Sequence, residues 1–467
     1  MIEDNTSTLI ATFTQLKSRF NQDPYPALEK RLRLLTEIKS RMLQWQDQLV
    51  EAADRDFGTR SRFDTVIADI MPCINSIDYI AKHLRKWSKV QHRSPGAHWL
   101  PSKAKIEIVP KGVVGVIAPW NYPIQLAIVP VITALAAGNK VMLKLSEFTP
   151  KVNAVIRAIF KGLDNEVCVI EGGPDIASTF TEQPFDHLLF TGSTAVGKKV
   201  MAAAAKNLTP VTLELGGKSP VIVLDDADIS AAAMSVLMGK LSNSGQICVA
   251  PDYVLVHEEK YDAFIAELKQ HYEKTYKTKV GVKNQTSIIN DRQFQRLNDI
   301  IIDAKNKGAN VWQAEPARDN RQLPLHIITH VNKSMRVMQE ELFGTILPIL
   351  KISNLHDAIS HIREDTTPLA SYLFTQSQVA MNKVSKELAT GTLAINETIV
   401  HVVVESLPFG GLGHSGMGQY HGEEGFYTFS HKKPILQSNN TKWRNKMLLS
   451  HSKLLTKPLE WLFMRKK

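Results

Sequence analysis

The 467-residue sequence has few cysteines: only Cys73, Cys168 and Cys248, an odd and sparse set. That scarcity excludes a disulfide-built secreted scaffold and fits a reducing compartment, where a lone cysteine becomes a candidate for chemistry. No apolar run approaches the length of about 18 residues that crosses a bilayer, so no membrane-spanning helix is expected. The start, Met1-Ile-Glu-Asp-Asn, has neither the basic opening nor the apolar block of a secretory leader, and a cytoplasmic protein is expected. Internal repeats and low-complexity linkers are missing as well. An apolar share of 43% and a charged share of 22% exclude a disordered chain. The length exceeds what one ordinary core supports, so two large domains are expected.

Acid is scarce in one place. The net charge is +10, and from Lys432 to Lys467 ten Lys or Arg residues face a single acid, Glu460. A basic tail is implied, not a basic surface. From Lys442 onward the tail also carries Met447, Leu448, Leu449, Leu454, Leu455, Leu459, Leu462 and Phe463, with Pro458 breaking any long helix. Such a mixture suits weak contact with an anionic membrane surface, where each basic residue adds about 1 kcal/mol. It also suits an arm packed on its own or a partner subunit. The tail contains no recognisable nucleic-acid module, and no nucleic-acid partner is expected.

The first 90 residues read as helices, with Leu32, Leu35, Ile38, Met42 and Leu49 at helical spacing. Asp56-Phe-Gly58 imitates a kinase metal loop, but no phosphate loop precedes it and no catalytic-loop signature follows. Ser94 to Ala97 reads as a turn and Ala104 to Val109 as an alternating strand, a hairpin suited to pairing with another subunit. From Gly112 the pattern becomes strand–loop–helix: strands at Val113–Ala118, Lys140–Lys144, Val167–Glu171 and His187–Phe190, and a helix at Leu126–Ala137. A second such series runs from Pro220 to Ala394. Alternating strands and helices with near-continuous apolar strands predict parallel sheets covered on both faces.

Three segments carry candidate chemistry. Gly192-Ser-Thr-Ala-Val-Gly197 links a strand to a helix expected at Lys198–Ala205, where glycines and a helix start suit a phosphate. It is not the usual G-x-G-x-x-G, and taken alone it is also an ordinary strand-to-helix turn. In Leu213-Glu-Leu-Gly-Gly-Lys-Ser-Pro220, Glu214 sits among apolar neighbours that would raise its pKa and make it a usable base; taken alone it is also a surface-loop glutamate. Cys248 ends Asn243-Ser-Gly-Gln-Ile-Cys248 behind small residues, which suits a nucleophile exposed in a cleft. Cys73 and Cys168 lie in apolar segments and read as buried structural thiols.

Pro119-Trp-Asn-Tyr-Pro123, Gly192–Gly197, Leu213–Pro220, Gly245–Cys248, Glu340-Glu-Leu-Phe-Gly344 and Pro408-Phe-Gly-Gly411 occur in one order. Together they resemble the ordered motifs of the aldehyde dehydrogenase superfamily, over roughly Gly112 to His431. Leu208–Pro220 and Ser415–Gly422 resemble the class 3-like branch, while Asp56–Ser61 and Asn396–Pro408 resemble bacterial coniferyl aldehyde dehydrogenases. The resemblance implies an α/β fold: a Rossmann-like NAD-binding domain over 1–93 and 111–215, an oligomerisation hairpin over 94–110, a catalytic domain over 216–413, and a C-terminal return segment with the basic tail over 414–467.

By that resemblance Cys248 attacks the aldehyde carbon, Asn121 and the Cys248 backbone N–H hold the developing oxyanion, and Glu214 activates the water that hydrolyses the thioester. Lys144 and Glu147 hold the adenosine ribose. Gly192, Ser193 and Gly197 meet the pyrophosphate, and Glu341 binds the nicotinamide ribose beside Phe343. Pro119 and Trp120 line the same crevice. The Glu147 carboxylate favours NAD over NADP, although class 3-like enzymes often accept both. No metal is assigned. Thr345 stands where the family usually has proline, and we expect a looser loop there.

Tyr122, Ile247, Val249 and His401 are expected to line the substrate funnel. The loop His401–Val404 is otherwise apolar, and no arginine cluster appears that would clamp a carboxylated aldehyde. A hydrophobic aldehyde is expected, either a hydroxycinnamaldehyde such as coniferyl aldehyde or a medium- to long-chain alkanal. Family habit implies a homodimer. Competing readings are a coenzyme A-acylating dehydrogenase, against which Glu214 argues, and a non-catalytic protein on the same scaffold, against which Cys248 and Asn121 argue.

Overall fold

A computed structural model describes residues 5–96, 99–278, 283–316, 318–365, 367–439, 441–450, 456–458, 460–461 and 464. The expectations placed on Ala97 and on Leu454, Leu455, Leu459, Leu462 and Phe463 lie outside the described residues.

The N-terminal segment is helical over Thr6–Gln22, Leu28–Gln44, Gln46–Phe57 and Met71–Trp87. Helix Thr6–Gln22 starts where the Asn5 side chain accepts the Thr8 N–H, and it buries Leu9, Phe13 and Leu16 on one stripe. That stripe joins the core formed by Val113, Ile117, Leu188 and Phe190. Asp56-Phe-Gly58 is a helix end: Gly58 takes φ 92° as the C-cap. The Asp56 carboxylate caps a different helix, accepting the Lys151 and Val152 N–H groups at the start of Pro150–Phe160.

In chain order β1 is Gln91–Arg93 and β2 Lys103–Pro110, followed by β3 Val113–Ile117, β4 Lys140–Lys144, β5 Val167–Ile170, β6 His187–Gly192 and β7 Val211–Leu215. Then come β8 Pro220–Val223, β9 Tyr253–His257, β10 Asn310–Gln313, β11 His326–Thr329, β12 Ile346–Ile352, β13 Ala370–Phe374 and β14 Thr392–Ile395. Short β15 is Gly416–Met417, and β16 is Ser430–Gln437. Among the described residues these form three sheets.

The first large sheet has the order β15-β7-β6-β3-β4-β5. Strands β3 to β7 are parallel, and β15 returns antiparallel so that Gly416 pairs with Glu214. The chain winds outward from β3 through β4 and β5, then crosses back to β6 and β7. The strand order therefore reverses between β3 and β6, and ligands of such sheets bind beyond the strand ends at that point. The loops that leave β3 and β6 there are the ones carrying Pro119–Pro123 and Ser193. The helix after β6 spans Thr194–Ala205, so it begins inside the glycine motif and earlier than the sequence pattern placed it. The second large sheet has the order β10-β11-β12-β9-β8-β13-β14 and is parallel except for β10. Both large sheets lie in one compact unit, 1–85 with 110–430.

The second unit, 86–109 with 431–467, holds β1, β2 and most of β16. Strand β1 pairs antiparallel with β2, and β16 forms the other edge of this small sheet. Among the described residues no helix is long and apolar enough to cross a membrane.

Asn139, buried between the helix Gln125–Ala136 and β4, ties the β3 region together. Its Oδ1 accepts the N–H groups of Lys111 and Gly112, and its Nδ2 donates to the carbonyls of Ala134 and Phe429. Asn139→Ala leaves these groups buried without partners, so we expect a loss of about 3 kcal/mol in denaturant unfolding. A loss under about 1 kcal/mol contradicts this reading.

Candidate active site

Cys248 follows a tight turn, Ser242–Gly245, in which Asn243, Ser244 and Gly245 take φ 46°, 53° and 71°. Three left-handed residues in succession are strained unless their surroundings hold them. Here they are held. The Ser244 hydroxyl donates to the Thr286 carbonyl. Gln246 Nε2 donates to the carbonyls of Asn243 and Ser287, both at 3.1 Å, and its Oε1 accepts the Ile289 N–H at 3.0 Å. The asparagine and glycine suit that backbone, and the small side chains leave room for it.

Asn121 meets this turn from the loop after β3. Its Nδ2 donates to the Gln246 carbonyl at 3.0 Å, while Asn243 Nδ2 donates to the Asn121 carbonyl at 3.0 Å. One N–H of the Asn121 amide thus remains for a ligand in the same buried place. Tyr372 holds the other side of the cysteine, its hydroxyl donating to the Val249 carbonyl at 2.5 Å.

Glu214 lies in β7, buried, and neither carboxylate oxygen has a hydrogen-bond partner. Burial alone raises its pKa well above the ordinary carboxylate range. Glu341 is pushed up to about 8, first by burial and then by the nearby Asp252 charge. Burial pushes the Cys248 thiol up to about 12, and the Glu341 and Glu214 charges add to the shift. In all three groups burial thus disfavours the charged form. The glycines after β7 have a use here: the Glu341 carboxylate packs on Gly216 where any Cβ would collide.

The loop that bears Glu341 is fixed by charge. Buried Lys218 pairs with Asp252 and donates to the carbonyls of Val337 and Glu340. The second Asp252 oxygen accepts the Leu342 N–H at 2.9 Å. Arg296 donates to the carbonyls of Glu341 and Leu342. Thr345 does not loosen this loop as expected. It is fully buried, and its hydroxyl reaches the Leu323 and Pro324 carbonyls at 2.7 and 3.1 Å, contacts that proline has no donor to make.

Apart from Glu341 and Phe343, which precede β12, the residues expected to hold a dinucleotide lie at or just beyond the ends of three adjacent strands, β4, β3 and β6. Lys144 closes β4, donating to the Leu145 carbonyl at 2.7 Å and standing 3.7 Å from Glu147. Burial lowers its pKa and Glu147 opposes that shift. Ser193 is the N-cap of Thr194–Ala205, with no side-chain cap, so the backbone donors of that helix start are free of its hydroxyl. Gly197 brings the helix onto Leu215 where a Cβ would collide. Trp120 meets Phe343 edge-on with ring centroids 5.4 Å apart, beside half-exposed Pro119. A helix start for phosphates, carboxylates for ribose and an aromatic edge for a flat ring fit a dinucleotide.

Of the residues expected to line the funnel, Tyr122 is buried, and burial raises its pKa while the Arg60 guanidinium opposes the shift. Ile247 and Val249 are buried. The His401 ring lies 5.9 Å from that of Tyr372, and neither ring nitrogen, both buried, has a partner. Burial lowers its pKa to about 4, so the ring is neutral. Cys73 is buried as expected. Cys168 is only half-buried, because its side chain sits toward the edge of the sheet on β5.

Sequence reasoning assigned no role to Arg60, Asp69, Asn243, Asp252, Arg296 or Tyr372. Each acts through a contact far away in the chain, and local spacing carries no trace of it.

A cysteine turn joined to the switch point of a dinucleotide-type sheet defines an NAD(P)-linked oxidoreductase with a thiol at its centre. The aldehyde dehydrogenase family model matches residues 18–435, and the chain belongs to that family. A probable coniferyl aldehyde dehydrogenase of Pseudomonas aeruginosa is 40% identical over 99% of this chain and 98% of its own. A coniferyl aldehyde dehydrogenase of a Pseudomonas species is 42% identical over 90% of this chain and 88% of its own. The substrate-bound state of Staphylococcus aureus AldH superposes with a TM-score of 0.89 at 36% identity, covering 95% of this chain and 99% of that one. The protein is an NAD(P)-dependent enzyme that oxidises aldehydes.

Because the folded chain keeps the Glu214 proton while the unfolded chain releases it above the ordinary carboxylate range, this residue costs stability as pH rises. Glu214→Gln, which cannot ionise, should match wild type near pH 4. Above the unfolded carboxyl's range it should gain about 1.4 kcal/mol per pH unit until Glu214 ionises in the fold. Urea midpoints at pH 4, 6 and 8 read the trend, and a wild-type advantage that grows with pH refutes it.

Proposed function

We propose that Cys248 is the nucleophile and that the enzyme oxidises a hydrophobic aldehyde, a hydroxycinnamaldehyde in first place. The Cys248 thiol releases its proton to solvent as its sulfur adds to the carbonyl carbon, and the negative charge that appears on the oxygen is met by the Asn121 amide and the Cys248 backbone N–H. A nicotinamide held in the crevice would accept the hydride whose loss turns the thiohemiacetal into a thioester. Glu214, buried and unpartnered, takes in its carboxylate form the proton of the water that hydrolyses the thioester and releases the acid. Lys144 and Glu147 would hold the adenosine ribose, the helix start at Gly192, Ser193 and Gly197 the pyrophosphate, and Glu341 the nicotinamide ribose, with Pro119, Trp120 and Phe343 lining the crevice. The Glu147 carboxylate favours NAD over NADP.

His401 carries the substrate choice. It is a neutral imidazole without a partner in a valine-rich turn, Val400–Val403. A phenolic hydroxyl supplies what the ring lacks, and an alkyl chain does not. The relatives named for coniferyl aldehyde support the same choice. A medium- to long-chain alkanal is the second reading, favoured by the exposed side chains of Val400, Val403 and Val404.

The small sheet is the proposed pairing element of a homodimer, with β16 exposed along most of its length at the sheet edge. The basic tail is proposed to touch an anionic membrane surface weakly, through exposed Trp443 and Leu448 beside Lys442 and Lys446.

Cofactor reduction followed at the nicotinamide absorbance tests the chemistry, with coniferyl aldehyde, benzaldehyde, hexanal, decanal and succinic semialdehyde as substrates. We expect the highest kcat/KM on coniferyl aldehyde and none in Cys248→Ala. His401→Phe should lower kcat/KM for coniferyl aldehyde about tenfold, equivalent to one lost hydrogen bond, and spare decanal. Turnover retained in Cys248→Ala sinks the mechanism. Equal losses on both aldehydes sink the phenol reading.

A further inference from the structure

Beneath the Pro119–Pro123 loop lies a charge pair with no exposed side-chain surface: Arg60 and Asp69, with Arg60 NH2 3.2 Å from Asp69 Oδ2. Buried pairs of this kind add little net stability, since desolvating both charges offsets most of their attraction. What the pair touches is specific. Arg60 NH1 donates to the Asn121 carbonyl at 2.9 Å. Asp69 Oδ1 accepts the N–H groups of Ile124 and Gln125 at 3.1 and 2.6 Å, where the helix Gln125–Ala136 begins. The loop is thus gripped at Asn121 and at its far end, Ile124 and Gln125, by one ion pair. The guanidinium also lies 4.7 Å from the Phe57 ring and 5.1 Å from the Tyr122 ring, so its plane is packed, and Asp54 accepts the Arg60 backbone N–H at 2.8 Å.

We propose that the Arg60–Asp69 pair is the positioning device of the Asn121 amide, holding it where the oxyanion forms. The inference rests on Asn121 being the oxyanion donor, as proposed above. Arg60 and Asp69 touch neither substrate nor cofactor; they act through the Asn121 backbone. Misplacing a donor by a fraction of its hydrogen-bond length removes much of its effect on the transition state and little of its effect on ground-state binding. Loss of the pair therefore falls on kcat, and cofactor affinity is spared.

The test is a double-mutant cycle on kcat/KM, with cofactor Kd and unfolding midpoint measured for each variant. Asn121→Ala comes first and should lower kcat/KM by roughly a hundredfold. Arg60→Met should lower it by roughly tenfold or more in the wild-type background, mostly in kcat, with cofactor Kd within about twofold. In the Asn121→Ala background the same substitution should change kcat/KM by less than about twofold. Arg60→Lys and Asp69→Asn, which preserve most of the volume, report the same coupling if Arg60→Met does not fold. Full activity in Asn121→Ala overturns the donor assignment and this inference with it. A strong Asn121→Ala effect with fully multiplicative Arg60 and Asp69 effects overturns the positioning role alone.

Discussion

A crossed pair of amide hydrogen bonds holds the site together. Asn121 donates from the loop after β3 to the Gln246 carbonyl, and Asn243 donates from the cysteine turn to the Asn121 carbonyl. One loop belongs to the dinucleotide-type sheet and the other to the segment that leads into the second large sheet. Neither loop has regular structure to fix it, and the cysteine turn has three left-handed residues to restrain. Buried amides without these partners would each be costly, so the two loops are stable only in this relative placement.

Around that link burial disfavours charge. Glu214, Glu341 and Cys248 are all driven by burial toward their uncharged forms. In such surroundings a negative charge that appears during reaction is stabilised strongly by a fixed N–H donor, because a low-dielectric setting strengthens the interaction. Two standing charge pairs act as supports. Lys218 with Asp252 holds the Glu341 loop, and Arg60 with Asp69 holds the Asn121 loop. The moving charge and the standing charges thus occupy different shells of one structure.

The motif residues were legible because their chemistry demands particular residue types within short contiguous segments. A cysteine behind small residues, a glutamate before two glycines and a glycine turn opening a helix each state their constraint locally. The alternation of strands and helices likewise gave the parallel sheets and the approximate extent of both series. What holds those segments was not legible. Arg60 reaches Asn121 across 61 positions, and Arg296 reaches the Glu341 carbonyl across 45. Thr345 reads as a weakening substitution in the sequence, yet its hydroxyl finds two carbonyls that only the fold brings near. The start of Thr194–Ala205 was placed late because glycine in its first turn hides the helical pattern, while tight packing of Gly197 on Leu215 requires that glycine.

The most direct measurement is peptide mapping by mass spectrometry after a rapid acid quench of the Glu214→Gln enzyme mixed with NAD and coniferyl aldehyde. Acid preserves a thioester, and the variant lacks the group assigned to its hydrolysis. The account predicts a feruloyl mass increment on the peptide containing Cys248 and none on those containing Cys73 or Cys168. Cofactor reduction without that adduct, or an adduct on either other cysteine, contradicts it.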